Sequence, residues 1–325
     1  MAKIAKPTIT TIANFPEHYM LENLVIRNDG SILVVASPQR QVWYVPTPQG
    51  DLPVEPLLLH TFPDKHLAQC FVEAEPNIFY VATYGVPTLW RFDLREWKPG
   101  DPVQPVKVLD FQPKAGPNGG GLIAPGIMVF SDCVLGLIWR VDLSPNGLTG
   151  KASVWSQHHT MAAGGGKPPV KFSDSMSVPF PGINGLRVGP KTKFVYYSTS
   201  SQEVFMKVPF DPDTSAATGE AEFVANVPAC DDLCLDEDRG FAYVTEHPKH
   251  TIERVPLKKD APGREAVVGQ PFNDKIIGPT STDWGRSPGD YGHLFYATTD
   301  GGTVQLAPDG VLRPARLMRV ELATE

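Results

Sequence analysis

Short apolar runs of four to eight residues recur along the chain, some alternating with polar positions and some continuous, with polar turns between them. That pattern predicts β-strands. The runs are grouped. A strand, a polar turn, a strongly apolar strand, a short loop and a third strand return together as one unit. It reads ENLVIRNDGSILVVASPQRQVWYVP from Glu22, AQCFVEAEPNIFYVATYGVPTLWRFDL from Ala68 and NGGGLIAPGIMVFSDCVLGLIWRVDL from Asn118. It returns as NGLRVGPKTKFVYYSTSSQEVFMKVPF from Asn184 and DDLCLDEDRGFAYVTEHPKHTIERVPL from Asp231. A looser sixth unit runs through STDWGRSPGDYGHLFYATTDGGTVQL. An outer strand follows most of them: VKVLDF, KASVWS, EAEFVANV and REAVVG.

The units start at 22, 68, 118, 184, 231 and about 283, giving spacings of 46, 50, 66, 47 and about 52 residues. Four strands at a period of about 45–50 residues predict propeller blades. The expected fold is therefore all-β: a six-bladed β-propeller, four-stranded blades around a central channel, with residues 1–325 as a single domain. The long interval holds an insertion near 157–182. Loops of that length in a compact fold are usually functional, so it is expected to be lid-like. TITTIANF is expected to close the ring as the outer strand of the last blade, with RLMRVEL competing for the place. The 33 prolines in 325 residues, about twice the usual share of roughly 5%, fit many turns and edge strands better than long helices.

The repeat carries a ruler. Counting back from the last core residue of the second strand, Val35 leads to Glu22, Tyr197 to Asn184 and Val244 to Asp231, each over 13 residues, and Phe130 leads to Asn118 over 12. One position, the mouth of the innermost strand, thus carries Glu22, Asn118, Asn184 and Asp231. Innermost strands converge on a propeller axis, so four oxygen-bearing side chains are expected to meet at one end of the channel. Converging carboxylates and amides suit a hard cation, calcium above all, or another divalent ion.

Those four residues, in LEN, PNGGG, INGLRV and DDLCLD, resemble the metal-binding Glu, two Asn and Asp of the SMP-30/gluconolactonase/strictosidine-synthase-like six-bladed propellers. The resemblance implies metal ligation by Glu22, Asn118, Asn184 and Asp231, with Asp231 as the base that activates water. Two departures argue against a sugar lactone: Gly116 stands where many lactonases carry arginine, and Asp232 where a glycine usually follows the aspartate. Within the superfamily the chain most closely resembles fungal propellers of secondary-metabolite clusters. Some of those are hetero-Diels–Alderases that join an o-quinone methide tropolone to a humulene-type olefin.

The loops between second and third strands are expected on the same face. They offer Tyr84, Ser198 and His247 as substrate contacts, with His247 a candidate acid–base group. Gln69, Trp284 and Phe180 are further candidates for substrate contact. The insertion carries Met161, Phe172, Met176 and Phe180, a composition that suits an apolar substrate. No Gly-x-Ser-x-Gly elbow is present, so a serine-hydrolase triad lacks support.

Charge and cysteine content narrow the partners. With a net charge of −7 and no Lys/Arg cluster, neither nucleic acid nor an anionic membrane is expected. No apolar run approaches the 18 or so residues of a spanning helix. MAKIAKPTIT lacks a secretory h-region. Cys70, Cys133, Cys230 and Cys234 read as reduced thiols, and a cytoplasmic location follows as the expectation. Three functions compete. First is a pericyclase that holds diene and dienophile in near-attack geometry without a required cofactor, with Glu22, Asn184, Asp231 and Asp232 polarising the tropolone. Second is a metal-dependent lactonase with Asp231 or Asp232 as the base. Third is a non-catalytic binding propeller. The apolar insertion and the missing arginine favour the pericyclase; the intact polar ring favours the lactonase.

Overall fold

The computed structural model describes residues 6–173, 176–259 and 261–323. Strand β1 (Thr8–Asn14) comes first, then a blade of β2 (Leu21–Ile26), β3 (Ile32–Ala36), β4 (Gln41–Val45) and β5 (Leu57–Thr61). The second blade is β6 (His66–Glu75), β7 (Ile78–Gly85), β8 (Thr88–Asp93) and β9 (Val106–Asp110). The third is β10 (Pro117–Ala124), β11 (Ile127–Asp132), β12 (Leu137–Leu143) and β13 (Gly150–Gln157). A hairpin of β14 (Val170–Ser173) and β15 (Met176–Val178) precedes the fourth blade: β16 (Ile183–Gly189), β17 (Phe194–Thr199), β18 (Val204–Pro209) and β19 (Glu222–Asn226). The fifth is β20 (Cys230–Asp236), β21 (Phe241–Glu246), β22 (Thr251–Pro256) and β23 (Glu265–Val268). The last combines β24 (Pro279–Trp284), β25 (Leu294–Thr299) and β26 (Arg316–Glu321) with β1, in the order β1-β26-β25-β24. Six four-stranded antiparallel sheets make a six-bladed β-propeller, as the repeat predicts. By packing, the chain falls into two compact units, Met1–Thr61 with Leu233–Glu325, and Phe62–Asp232.

Second strands read as continuous apolar runs because both of their faces are covered: β3 is buried throughout. Outer strands are half solvated, as Leu57 and Leu58 on β5 show. The cores lie between successive blades. In unit Phe62–Asp232, Val72, Tyr80 and Val108 pack with Phe130 and Trp139, and Val129 and Ile138 pack with Ile183, Leu186 and Tyr197. In the other unit, Ile12, Leu24 and Val34 pack with Leu317, and Tyr243 and Ile252 pack with Phe295 and Met318. All four cysteines are buried free thiols.

Both candidate closing strands are used: β26 is the third strand of the last blade and β1, paired along it from Thr8↔Glu321 to Asn14↔Arg316, is the fourth. The expected third strand, GGTVQL, is instead part of a long connection from 300 to 315. Asp300 accepts hydrogen bonds from the backbone N–H groups of Gly302 and Val304, both 2.8 Å, and so folds the start of that segment into a turn. The insertion is also partly core. It opens with a 3-10 turn, His159–Met161, and Met161 is fully buried against Ile183 and Tyr197. The expectation that Met161 belongs to a lid is therefore corrected. Phe172 and Met176 have side chains outside the described residues.

Trp284, expected to contact substrate, is a core residue at the far end of β24. It is 7% exposed, packs edge-on against Tyr243 and Phe295, and donates its indole N–H to the Leu235 carbonyl at 2.7 Å. Replacing Trp284 by Phe keeps an aromatic ring but leaves that buried carbonyl without its donor. We expect a loss of about 1–3 kcal/mol, read as a lower urea midpoint with an unchanged slope.

Candidate functional site

The mouth of each inner strand is set by one local device. Where β2 pairs β3, the register slips between Leu21 and Asn23, leaving Glu22 as the extra residue. The same irregularity brackets Gln69 in β6, Asn118 in β10, Asn184 in β16 and Thr280 in β24. Asp231 holds the matching place in β20, second after Cys230. A bulged residue leaves the ladder, so its side chain turns out of the sheet packing. Bulges near strand ends often re-aim side chains at functional sites. Five bulges and the matching place in β20 therefore present Glu, Gln, Asn, Asn, Thr and Asp. Gln69 and Thr280 extend the four that the ruler finds.

Hydroxyl groups hold these mouths in place. The penultimate residue of a second strand reaches to the backbone of the mouth residue in the next blade. Ser131 Oγ donates to the Asn184 carbonyl (2.5 Å), Ser198 Oγ to the Asp231 carbonyl, and Thr245 Oγ1 to the Thr280 carbonyl (2.9 Å). Ser198, expected to touch substrate, is fully buried in this latch. It positions Asp231 and is not available to a ligand.

Unit Phe62–Asp232 brings Gln69, Asn118, Asn184 and Asp231 onto successive inner strands. Their backbones nearly touch. A β-carbon on Gly119 would fall 2.5 Å from Leu186 N, and one on Gly185 would fall 2.5 Å from Asp232 Cα. The Asn118 carboxamide donates to Gln69 Oε1 at 3.4 Å. Asn184, 6% exposed, donates through Nδ2 to Ser200 Oγ at 2.9 Å, and Ser200 in turn donates to the Cys230 carbonyl at 2.8 Å. Asn184 Oδ1 is buried with no hydrogen-bond partner among the described residues. A buried amide oxygen left unsatisfied is costly and calls for an explanation.

The paired aspartates have different jobs. Asp232 is ion-paired to Arg187 at 2.7 Å in a seam that only Gly185 leaves open: a β-carbon there would lie 2.4 Å from Asp232 Oδ1. Asp231 meets the next blade through its backbone, its carbonyl accepting from Ser198 Oγ. Asp232 was a candidate base, but its carboxylate is engaged by Arg187, and the catalytic expectation for it is corrected to a structural one. The glycine at 116 has an equally local cause. A β-carbon there would fall 2.5 Å from Val134 Cγ2, and its N–H is held by Asp132 Oδ1, so no arginine fits.

Tyr84 is buried at the end of β7. Burial pushes its phenol far above the ordinary range, with Cys133 and Asp132 adding to the shift, so it stays protonated. Phe180 lies under the Lys167 ammonium, 4.9 Å from the ring centroid, which covers one of its faces.

Glu22 and His247 belong to the other unit. Glu22 is buried at its bulge. His247 is 8% exposed, with Nε2 3.1 Å from Asp300 Oδ2. His250, in the left-handed region at φ 59°, accepts the Gly278 N–H through Nδ1 at 3.0 Å. A β-carbon on Gly278 would lie 1.8 Å from Asp300 Oδ1. Asp300 reads in the sequence as an ordinary turn residue, which is why it went unmarked. Among the described residues, no group of three or more His, Cys, Asp and Glu side chains is placed to hold a metal ion. The donor set around Asn184, rich in amides, is of a different kind. Surface hollows around Ile9 and Phe272, beside outer strands β1 and β23, and around Arg95 and Trp97, in the connection between β8 and β9, contain none of these side chains.

No family model matches the chain, and no curated protein matches it in sequence. Solved structures match it in fold. It is similar to a luciferin-regenerating enzyme, with a TM-score of 0.68 and 14% identity over 97% of this chain and 95% of that one. It is similar to regucalcin, a calcium-binding protein from Agrobacterium tumefaciens, at 0.63 and 14% over 99% and 96%. A putative gluconolactonase matches at 0.61 and 15% over 98% and 93%. At that identity the likeness is one of fold, and it agrees with the expected six-bladed β-propeller. No described helix is long and apolar enough to cross a membrane.

Burial alone would raise the Asp300 carboxyl, but His247 and the N–H groups of Gly302 and Val304 outweigh it and hold the value below normal. A carboxylate depressed in the folded state stabilises fully above its unfolded value, about 3.9, and that contribution is lost as pH falls through the folded value. His250, lowered chiefly by burial, adds a loss that begins higher, below about 6.5. Urea unfolding from pH 7 to pH 3 should show both phases. In Asp300→Asn the low-pH phase should shrink, with neutral-pH stability down by about 1–3 kcal/mol.

Proposed function

We propose that the protein is a cation-dependent hydrolase of a lactone or ester, with Asn118, Asn184 and Asp231 at its centre. The buried Asn184 carboxamide carries this reading. Ser200 fixes its orientation, and its Oδ1 has no hydrogen-bond partner among the described residues. Two amides and a carboxylate at the mouths of neighbouring inner strands are hard oxygen donors, which fit calcium or a similar divalent ion. When bound, such a cation polarises a carbonyl.

The chain's own residues do the rest. Asn118, steadied by Gln69, and Asn184, steadied by Ser200, present carboxamide groups whose positions do not change between steps. Asp231 accepts the proton of the attacking water as its oxygen bonds to the acyl carbon, and returns that proton to the leaving alkoxide when the acyl C–O bond breaks. The Ser198 latch keeps the Asp231 backbone from shifting during that transfer. Tyr84, protonated at any working pH, can only donate a hydrogen bond or present its ring. With no arginine at 116, the substrate lacks the partner that a sugar acid would need, which favours a less anionic lactone or ester.

No observation favours the tropolone–olefin cyclase over this reading. Of the residues that made an apolar lid, Met161 is core and Phe180 is covered by Lys167.

Calorimetric titration with Ca2+ tests the proposal, together with a panel of lactones and aryl esters. We expect about one cation per chain, as the single donor set implies, and a lower melting temperature in EDTA. In Asp231→Asn, kcat/KM should fall by about 10²–10⁴, whereas Asn184→Ala should mainly weaken cation affinity. Absence of both cation binding and an EDTA effect would refute the hydrolase reading.

A further inference from the structure

We infer that Ser200 and Lys167 are positioning residues that set the Asn184 carboxamide, and that the insertion between the third and fourth blades exists in part to hold them. The inference rests on the cation-dependent reading of Asn184. Unlike that reading, it concerns the groups behind the carboxamide and not its ligand.

An asparagine amide has two ends of similar size, and a half-turn exchanges donor for acceptor. Only its surroundings decide which end faces a ligand. Here the decision falls to Ser200. Its hydroxyl donates to the Cys230 carbonyl, so its lone pair is what remains for Asn184, and only the Nδ2 end can meet it. Oδ1 must then face the other way, where a cation would need it. A Ser200 hydroxyl turned away would let the amide flip and present N–H groups, which repel a cation.

What holds Ser200 is the insertion. Ser200 N donates to the Gly182 carbonyl (3.0 Å), and Ser200 O accepts from Lys167 Nζ (3.1 Å). Lys167 is locked in turn by Glu203 Oε1 at 2.8 Å. The neighbouring turn residues are held the same way: Ser201 Oγ donates to the Ala162 carbonyl (2.7 Å) and Gln202 Nε2 to the His159 carbonyl (2.7 Å). The whole turn after β17 is thus hydrogen-bonded to the insertion, from His159 at one end to Gly182 at the other. Second-sphere partners of this kind typically change metal affinity 10–100-fold when removed.

The test compares wild type, Ser200→Ala, Ser200→Thr and Lys167→Met by Ca2+ calorimetry and by NMR of the Asn184 side-chain amide. In wild type, one Asn184 amide proton should be protected from exchange. In Ser200→Ala that protection should vanish and Ca2+ affinity should fall by about 10-fold or more. Ser200→Thr, which keeps a hydroxyl, should restore both, and Lys167→Met should show a smaller loss of the same kind. If Ser200→Ala binds Ca2+ as well as wild type, the positioning role is wrong while the hydrolase reading stands. If wild type binds no cation, the hydrolase reading falls and the amide decides. Loss of Asn184 protection in Ser200→Ala supports the positioning role; equal protection in the two proteins overturns it.

Discussion

Near their mouths the inner strands of unit Phe62–Asp232 come so close together that a side chain has no room at Gly119 or Gly185, and much else follows from that crowding. Gly119 and Gly185 are glycines because a β-carbon would land in a neighbouring backbone. Close approach brings carbonyl groups of one blade within reach of hydroxyl groups of another. Ser131, Ser198 and Thr245 use it, each holding the carbonyl of the next mouth residue. A short hydroxyl is the natural device, since a longer polar side chain would need room that the seam lacks.

Crowding also explains why function sits at the bulges. A residue in register at an inner strand must either point into a seam or be very small. A bulged residue escapes both demands and can carry an amide or a carboxylate of ordinary size. The two adjacent aspartates show the contrast. Asp232 points into a seam and is compensated there by Arg187, while Asp231, one residue earlier at the mouth of β20, has its backbone carbonyl held by Ser198. The unusual residues nearby, Gly185 and Arg187, are the ones that let a carboxylate live in the seam at all.

Much of this was legible in the sequence because blades repeat. The strand pattern, the six units and the mouth position at Glu22, Asn118, Asn184 and Asp231 all follow from one period. Asn118 sits one residue off the ruler for a physical reason. The turn after β10 is two residues shorter than the turn after β16, and an extra bulge between Leu122 and Ala124 returns one of them. Thr280 escaped because the long GRSPGDYGH connection breaks the count in the last blade. What the sequence could not show is which polar residues act locally. Ser198 and Trp284 look like ligand contacts when read by loop or residue type, yet the first is a latch and the second fills a core. Asp300 looks like a turn and proves to hold a histidine. Such roles depend on neighbours far away in the chain, which no period records.

The first strand of the chain completes its last sheet. β1 lies along β26, which is made about 300 residues later. On a ribosome adding roughly 5–20 residues per second, β1 would wait some 15–60 seconds for its partner. Throughout that time its ladder of N–H and C=O groups is an open edge, the kind of surface on which chains pair wrongly. The strand carries Thr8, Thr10 and Thr11, and its pairing with β26 slips between Thr11 and Ala13. A slipped edge rich in threonine is a poor template for a stranger, so the strand that finishes the fold is also one that can safely be kept waiting.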